Sequence, residues 1–131
     1  MDFIGQVAEF NSKVLNVQGR EKGLLSAQEL NYASKAVKEE LAEFEQAHQQ
    51  QDFIGAVDAV VDLVYFAYGF LFRMGLTEDQ VRKIGTIVHD CNMSKKLGHV
   101  AKRSEDGSVA DAVKPEGWTG PEELIAEALS A

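Results

Sequence analysis

Residues 53–72 form a run of twenty residues in which only Asp58 and Asp62 carry charge. A run of this length could span a bilayer as a helix. Each aspartate near its centre would cost roughly 2.5–3.5 kcal/mol on insertion scales, and no basic flank fixes an orientation. We therefore expect a buried helix and no membrane contact. A chain of 131 residues can hardly cover such a helix by itself, which predicts burial against a second copy.

The charge balance narrows the partners that this chain can have. It holds 13 basic and 21 acidic residues, and the net charge of −8 disfavours general nucleic-acid binding. The single cysteine, Cys91, permits neither an internal disulfide nor a four-cysteine zinc site, and it favours a reducing compartment. The first ten residues carry two acids and no basic stretch, so no signal peptide is expected. Together these features predict a cytoplasmic protein.

Hydrophobic spacing predicts helices along most of the chain. Apolar residues recur at intervals of three and four, Ser26 and Thr77 each begin a capping-box pattern, and Gly75 stands where the third helix should end. No strand pattern is convincing, so the expected fold is all-α: a four- to five-helix bundle completed by oligomerisation, in a single domain of residues 1–131. The expected elements are helices at 2–17, 26–50, 52–74 and 77–97, an irregular loop at 99–120 and a short terminal helix at 121–129.

Two groups of carboxylates stand at helical spacing on neighbouring helices. Glu39, Glu40 and Glu43 cluster on one side of the second helix, where like charges destabilise a helix unless something neutralises them. Taken alone, they could form a solvated acidic face. Asp58 and Asp62 are four residues apart on the most apolar helix, where an unpartnered aspartate is costly. We interpret all five as carboxylates that point into one gap. The alternative for the aspartates is a surface pair that is hydrogen-bonded to polar groups.

An oxygen-only ligand set of this kind favours Mg²⁺ or Mn²⁺. Zinc is disfavoured without a cysteine and histidine cluster, and a ferritin-like di-iron site is disfavoured because the Glu45-x-x-His48 pattern has no second copy. Residues 82–103 then hold six bases and one acid, with Asn92 and Lys95 near the end of the predicted helix. Metal ions and lysines around a polyphosphate are the ordinary parts of phosphoryl transfer. Lysines that complement the helix dipole are the alternative.

Three segments of the chain together carry a family resemblance. They are the carboxylate order Glu39-Glu40-x-x-Glu43 followed by Asp58-x-x-x-Asp62, the stretch Val88–Lys95, and Lys114-Pro115-Glu116-Gly117-Trp118 with Pro121. In this order they resemble the all-α nucleoside triphosphate pyrophosphohydrolases, and most of all the MazG-like and phosphoribosyl-ATP-pyrophosphohydrolase-like group with its phage members. The resemblance covers about residues 28–121. One departure is Ala59, which stands where the better-known pattern has glutamate, with Asp58 one residue earlier on nearly the same face.

The resemblance implies Mg²⁺-dependent hydrolysis of a nucleoside triphosphate, with dNTPs as the expected substrates, to the monophosphate and pyrophosphate. It implies a homodimer or a dimer of dimers in a bacterial cytoplasm, or in the host cytoplasm for a phage-encoded protein. The implied metal ligands are Glu39, Glu40, Glu43, Asp58 and Asp62. The implied catalytic residues are Glu39, Glu40, Glu43 and Asp62. The implied contacts to the nucleotide or its phosphates are Asn92 and Lys95, with Lys114 and Trp118 closing over the ligand.

A second class of function fits the same bundle. The chain could be a non-enzymatic helical dimer that binds or senses nucleotides, because fold does not fix function. The acidic residues at 43, 58 and 62 favour an enzyme, because a protein that only senses nucleotides would not need all of these carboxylates. The base preference does not follow from the sequence: Phe10, Tyr32 and Trp118 are all candidates for stacking, and nothing ranks them.

Overall fold

The computed structural model describes residues 1–100, 102 and 109–130. Its contacts divide the chain into two compact units, Met1–Glu78 and Asp79–Ala131. The elements, in chain order, are α1 (Phe3–Lys13), α2 (Ala27–Gln49), α3 (Phe53–Arg73), α4 (Glu78–Met93), β1 (Lys96–His99), β2 (Ala110–Val113) and α5 (Glu122–Leu129). Five helices with one small sheet in the described residues confirm the predicted all-α class.

In the first unit, α3 packs against both α2 and α1.

Each of these three helices begins at a polar side chain that caps the backbone. At each N-terminus a side-chain oxygen accepts a hydrogen bond from the backbone N–H three residues further on, which satisfies a donor that the helix leaves open. The pairs are Asp2 with Gly5 at 2.8 Å, Ser26 with Glu29 at 3.1 Å and Asp52 with Gly55 at 2.9 Å.

Helix α1 is shorter than the predicted helix at 2–17. It ends at Lys13, and Asn16 adopts a left-handed backbone conformation with φ of 58°. The turn brings the Val17 N–H within 2.8 Å of the Asn11 carbonyl and buries the Val17 side chain. Val17 therefore contributes to the core from a loop, which apolar spacing alone cannot distinguish from one more helical turn.

Gly75 ends α3 as predicted. Its φ of 87° lies in the left-handed region, and a β-carbon there would collide with the backbone of Glu21. The Gly23 N–H also donates to the Met74 carbonyl at 3.1 Å. The end of α3 and the loop before α2 thus approach so closely that only glycine fits at position 75.

The second unit contains the main departure from the predicted elements. α4 ends at Met93 rather than at residue 97, because i→i−3 bonds from the N–H groups of Ser94 and Lys95 close its last turn. β1 then pairs antiparallel with β2, Lys96 opposite Val113 and His99 opposite Ala110. The prediction of an irregular loop at 99–120 without strands was wrong for these residues. Residues 101 and 103–108 of that predicted loop lie outside the described part of the chain.

The predicted terminal helix is confirmed as α5. Pro121 stands at its N-cap, where a missing N–H costs nothing, and Glu122 and Glu123 place negative charge in the first turn.

Helix α3 leaves much of its apolar surface uncovered within the chain. By length and composition it is long and apolar enough to cross a membrane, which for one helix is weak evidence, and it is the only such helix in the described residues. Phe53 and Ile54 are 77% and 75% exposed. Further exposed apolar residues on this helix are Val57, Val60, Val61 and Val64. The chain by itself does not bury α3, so burial against a second copy stays a prediction.

Candidate functional site

Four carboxylates meet where α2 packs against α3. Glu40 and Glu43 lie one turn apart on α2, and Asp58 and Asp62 lie one turn apart on α3. Glu40 is half-buried, and its Oε2 atom is buried without a hydrogen-bond partner in the structure. A buried polar oxygen in this state is costly unless a proton or a cation reaches it. We refer to these four residues as the acid cluster.

The acid cluster shifts the pKa of two of its members, Glu40 and Asp62. The pKa of Glu40 is raised from 4.5 to about 7, first by burial, then by a hydrogen bond with Glu43, and then by the negative charges of Glu43, Asp62 and Asp58. Burial also raises the pKa of Asp62, followed by the charges of Asp58 and Glu43. The negative charge of the neighbouring carboxylates therefore opposes ionisation of Glu40 and Asp62, and an added positive charge would be favourable there.

Glu39 stands apart from this group. Its side chain is exposed on α2, and its charge is not among those that raise the pKa of Glu40 or Asp62. Glu39 lies one turn before Glu43 on α2, but its side chain is exposed, whereas that of Glu40 is half-buried. The structure thus brings together four of the five carboxylates that the sequence singles out.

The acid cluster suits a hard divalent cation chemically. It offers only oxygen ligands, as Mg²⁺ and Mn²⁺ prefer, and the unpartnered Oε2 of Glu40 is a free acceptor. Within residues 1–100, 102 and 109–130, however, no three His, Cys, Asp or Glu side chains are arranged as a ready metal site. Binding an ion would therefore require side-chain rotations that bring the carboxylate oxygens to a common point.

A mainly apolar cleft of about 450 Å³ opens beside Asp62 in the first unit. Aromatic side chains dominate its walls, and the polar groups within it are few. Its lining residues are Phe10, Asn11, Leu15, Tyr32, Asp62, Tyr65, Phe66, Gly69, Phe70 and Arg73. A concave apolar site with a few placed polar groups is typical of small-molecule binding.

Asn11 is the one polar residue that is buried in the described part of the chain, with 3% of its surface exposed. Its Nδ2 donates to the Val7 carbonyl at 2.9 Å. Its amide packs against Gly69 of α3, where a β-carbon would lie 3.1 Å from Nδ2. Sequence reasoning missed this residue, although an asparagine four residues after Val7 on the apolar face of α1 was the available signal.

An ion-pair network surrounds Arg73, which also lines the cleft. Arg73 and Arg20 both contact the Glu29 carboxylate at 3.0 Å, and the Arg73 guanidinium lies 4.9 Å from the centre of the Tyr32 ring. Hydrogen bonds from Arg20 and then Arg73 lower the pKa of Glu29. Glu29 thus shares its negative charge between Arg20 and Arg73. The capping-box pattern that begins at Ser26 predicts only the start of α2 and does not reveal this network.

The second unit brings together three of the four predicted nucleotide-binding residues. The Nζ atoms of Lys95 and Lys114 lie 5.0 Å and 5.1 Å from the centre of the Trp118 ring. The Trp118 indole N–H donates to the Cys91 carbonyl at 3.0 Å and to Ser94 Oγ at 2.7 Å. The fourth residue, Asn92, is exposed in the last turn of α4.

Comparison with known proteins adds one result. The family model described as phosphoribosyl-ATP pyrophosphohydrolase matches residues 9–90, well over half of the chain and all four residues of the acid cluster. Neither the curated proteins nor the solved structures compared with the chain include a significant match. The family implies pyrophosphohydrolase activity on a nucleotide-type substrate. The chain therefore belongs to the phosphoribosyl-ATP pyrophosphohydrolase family, within the MazG-like NTP pyrophosphohydrolase superfamily.

Proposed function

We propose that the protein hydrolyses a nucleoside triphosphate, with dNTPs as the preferred class, to the monophosphate and pyrophosphate in the presence of Mg²⁺. The observation that carries this proposal is the half-buried Glu40, whose Oε2 has no partner and whose neighbours Glu43, Asp58 and Asp62 are all acidic. Such an arrangement is unfavourable by itself and becomes favourable around a divalent cation.

Each residue of the acid cluster then has a part in the reaction. Glu43, Asp58 and Asp62 would hold the ion together with Glu40, and Glu39, one turn before Glu43 on α2, would be a further ligand. When bound, Mg²⁺ supplies charge neutralisation on the phosphates and activation of water. The protein orients the attacking water with a carboxylate and accepts its proton there. The carboxylates would position the triphosphate only through the ion that they hold, because their own charges repel the phosphates, and this positioning would lower the entropic part of the barrier.

The substrate has a phosphate end and a nucleoside end, and the cleft beside Asp62 is suited to the nucleoside. Asp62 and Gly69 are seven residues apart on α3, about 10 Å along the helix axis. Phosphates near the acid cluster would thus leave the sugar and base among aromatic side chains, close to the Asn11 amide. Arg73 and Arg20 share the single carboxylate of Glu29, so this group keeps a net positive charge at the Arg73 side of the cleft.

The remaining expectations complete this proposal. Asn92 and Lys95 contact the nucleotide or its phosphates, and Lys114 takes part from the tail. The functional form is a homodimer or a dimer of dimers that covers the exposed face of α3, and it works in the cytoplasm.

Pyrophosphate release tests the proposal directly. Purified protein is incubated with each common NTP and dNTP, and with phosphoribosyl-ATP because the matching family bears that name. Reactions run with Mg²⁺, with Mn²⁺ and after exhaustive chelation. We expect metal-dependent release of pyrophosphate, without orthophosphate, from at least one dNTP.

Two outcomes would contradict the proposal. Full activity after chelation excludes the metal site, and tight nucleotide binding without any release supports the non-enzymatic alternative. Hydrolysis of phosphoribosyl-ATP alone would keep the chemistry and replace the substrate. Glu40→Gln should lose the metal-dependent release, and Glu45→Gln is its matched control for charge loss on α2, because Glu45 is exposed and lies outside the acid cluster.

A further inference from the structure

We infer that Trp118 is a positioning residue that holds Lys95 and Lys114 as a preassembled cationic pair for a polyphosphate anion. The sequence had suggested a different role, in which Trp118 itself closes over the ligand. The contacts of its ring and of its indole N–H in the second unit favour the new role.

The indole N–H anchors the ring to the end of α4. It donates both to the Cys91 carbonyl and to Ser94 Oγ, and the Ser94 hydroxyl donates in turn to Cys91 at 2.6 Å. Cys91 and Ser94 precede Trp118 by 27 and 24 residues. These bonds therefore hold the segment around Trp118 against the last turn of α4. They also use the one polar atom of the indole.

A tight turn in the backbone just before Trp118 also fixes the position of the ring. Gly117 has φ of 76°, and the Trp118 N–H donates to the Pro115 carbonyl at 3.0 Å. Lys114 immediately precedes this turn. Because the chain reverses there, the Lys114 side chain contacts the ring of Trp118. Lys95 reaches the same ring from the end of α4.

The ring gathers two like charges that would otherwise separate. Both Nζ atoms lie about 5 Å from one ring centre, so they lie within about 10 Å of each other. The Trp118 ring has no net charge, so these contacts hold the two ammonium groups without balancing their charge. An anion with several charged oxygens can contact both and balance that charge. Two cationic groups gathered at one residue match the several charged oxygens of a polyphosphate.

The anion can be the triphosphate of a substrate or the pyrophosphate product, and that identity rests on the proposed function. The affinity of the pair for an inorganic polyphosphate does not rest on it. Titration with inorganic tripolyphosphate and with pyrophosphate therefore separates the two ideas, since neither experiment requires hydrolysis.

The experiment is a double-mutant cycle between the ring and a lysine. Calorimetric titration of tripolyphosphate is carried out on the wild type, Trp118→Leu, Lys95→Ala and the double variant. We expect each single change to weaken binding by about fivefold or more, and the double change to add little, because without the ring Lys95 is no longer held in place. Lys83→Ala, an exposed lysine on α4, is the control and should change binding by less than about twofold.

Two further measurements keep the inference testable if the leucine variant folds poorly. Trp118→Phe keeps an aromatic ring but loses the N–H anchor, so it should bind with an affinity between those of the wild type and Trp118→Leu. Trp118 is the single tryptophan of the chain, so the wild type should show a saturable fluorescence change with tripolyphosphate at the same midpoint. Additive effects in the cycle, or wild-type affinity in both tryptophan variants, would overturn the inference. Tripolyphosphate binding with the expected coupling, in a protein that hydrolyses no nucleotide, would uphold it and refute the proposed function.

Discussion

The Asn11 carboxamide lies directly against Gly69, so that a β-carbon at position 69 would sit 3.1 Å from Nδ2. Both residues line the cleft beside Asp62. Because the buried amide of α1 touches the glycine of α3, neither residue can move freely. A single methyl group added at position 69 would therefore disturb the contact.

Gly69→Ala should affect substrate use more than stability. Alanine favours the helix by about 0.5–1 kcal/mol relative to glycine, and this gain offsets part of the cost of pushing the Asn11 amide by a few tenths of an ångström. We expect the free energy of unfolding to change by less than about 1 kcal/mol and KM for the preferred nucleotide to rise severalfold. Gly85→Ala on α4 is the control, because a β-carbon there meets nothing within 4 Å. Equal kinetics in the two variants would show that the cleft does not hold the substrate.

The metal-free protein should lose stability as the pH rises through the range in which Glu40 ionises. The folded-state pKa of Glu40, about 7, lies above the ordinary value of 4.5, so between these values the folded protein binds more protons than the unfolded chain. Stability therefore falls as the pH rises from about 4.5 to 7. Thermal melts in chelator across this range should show the slope, and Glu40→Gln should flatten it. A melting temperature that rises with pH in the wild type would contradict the burial of Glu40.

Asp62→Asn distinguishes a metal ligand from a structural aspartate. Burial and the charges of Asp58 and Glu43 oppose ionisation of Asp62, and asparagine keeps the shape while it removes the charge. The metal-free variant should be at least as stable as the wild type, bind Mg²⁺ weakly and release pyrophosphate slowly. Melts without metal and kinetics with metal provide the comparison. A clear loss of stability with unchanged activity per folded molecule would remove Asp62 from the metal site.

The exposed apolar face of α3 should be covered in solution by a second copy. Ile54 is 75% exposed and Phe53 is 77% exposed, on the helix that also carries Asp58 and Asp62 of the acid cluster. Ile54→Glu places a charge on this face and should shift the assembly towards a monomer. Sedimentation at micromolar concentration measures the mass of both proteins. A stable wild-type monomer of 14.4 kDa would be the opposite of what we expect.

Local patterns in the sequence account for most of the helices. Apolar spacing and capping residues act within a few positions, so Ser26, Asp52, Gly75 and Pro121 stand at or beside helix ends as their chemistry dictates. The same spacing wrongly predicted that α1 continues through Val17. A buried position requires an apolar residue whether it lies in a helix or in a loop, so the residue type cannot distinguish the two. The strand at Ala110–Val113 escaped notice because four residues without alternation carry too weak a local signal.

Residue type and helical spacing suffice to predict that acids cluster on two helices and that lysines follow them along the chain. Which of these acids meet depends on how the helices pack. The rotation of α2 against α3 turns Glu40 inwards and leaves Glu39 exposed, although the two are neighbours in the chain. Likewise, only folding brought Trp118 to Cys91 and Asn11 to Gly69. These contacts join residues far apart in sequence, and their existence depends on packing that no local preference encodes.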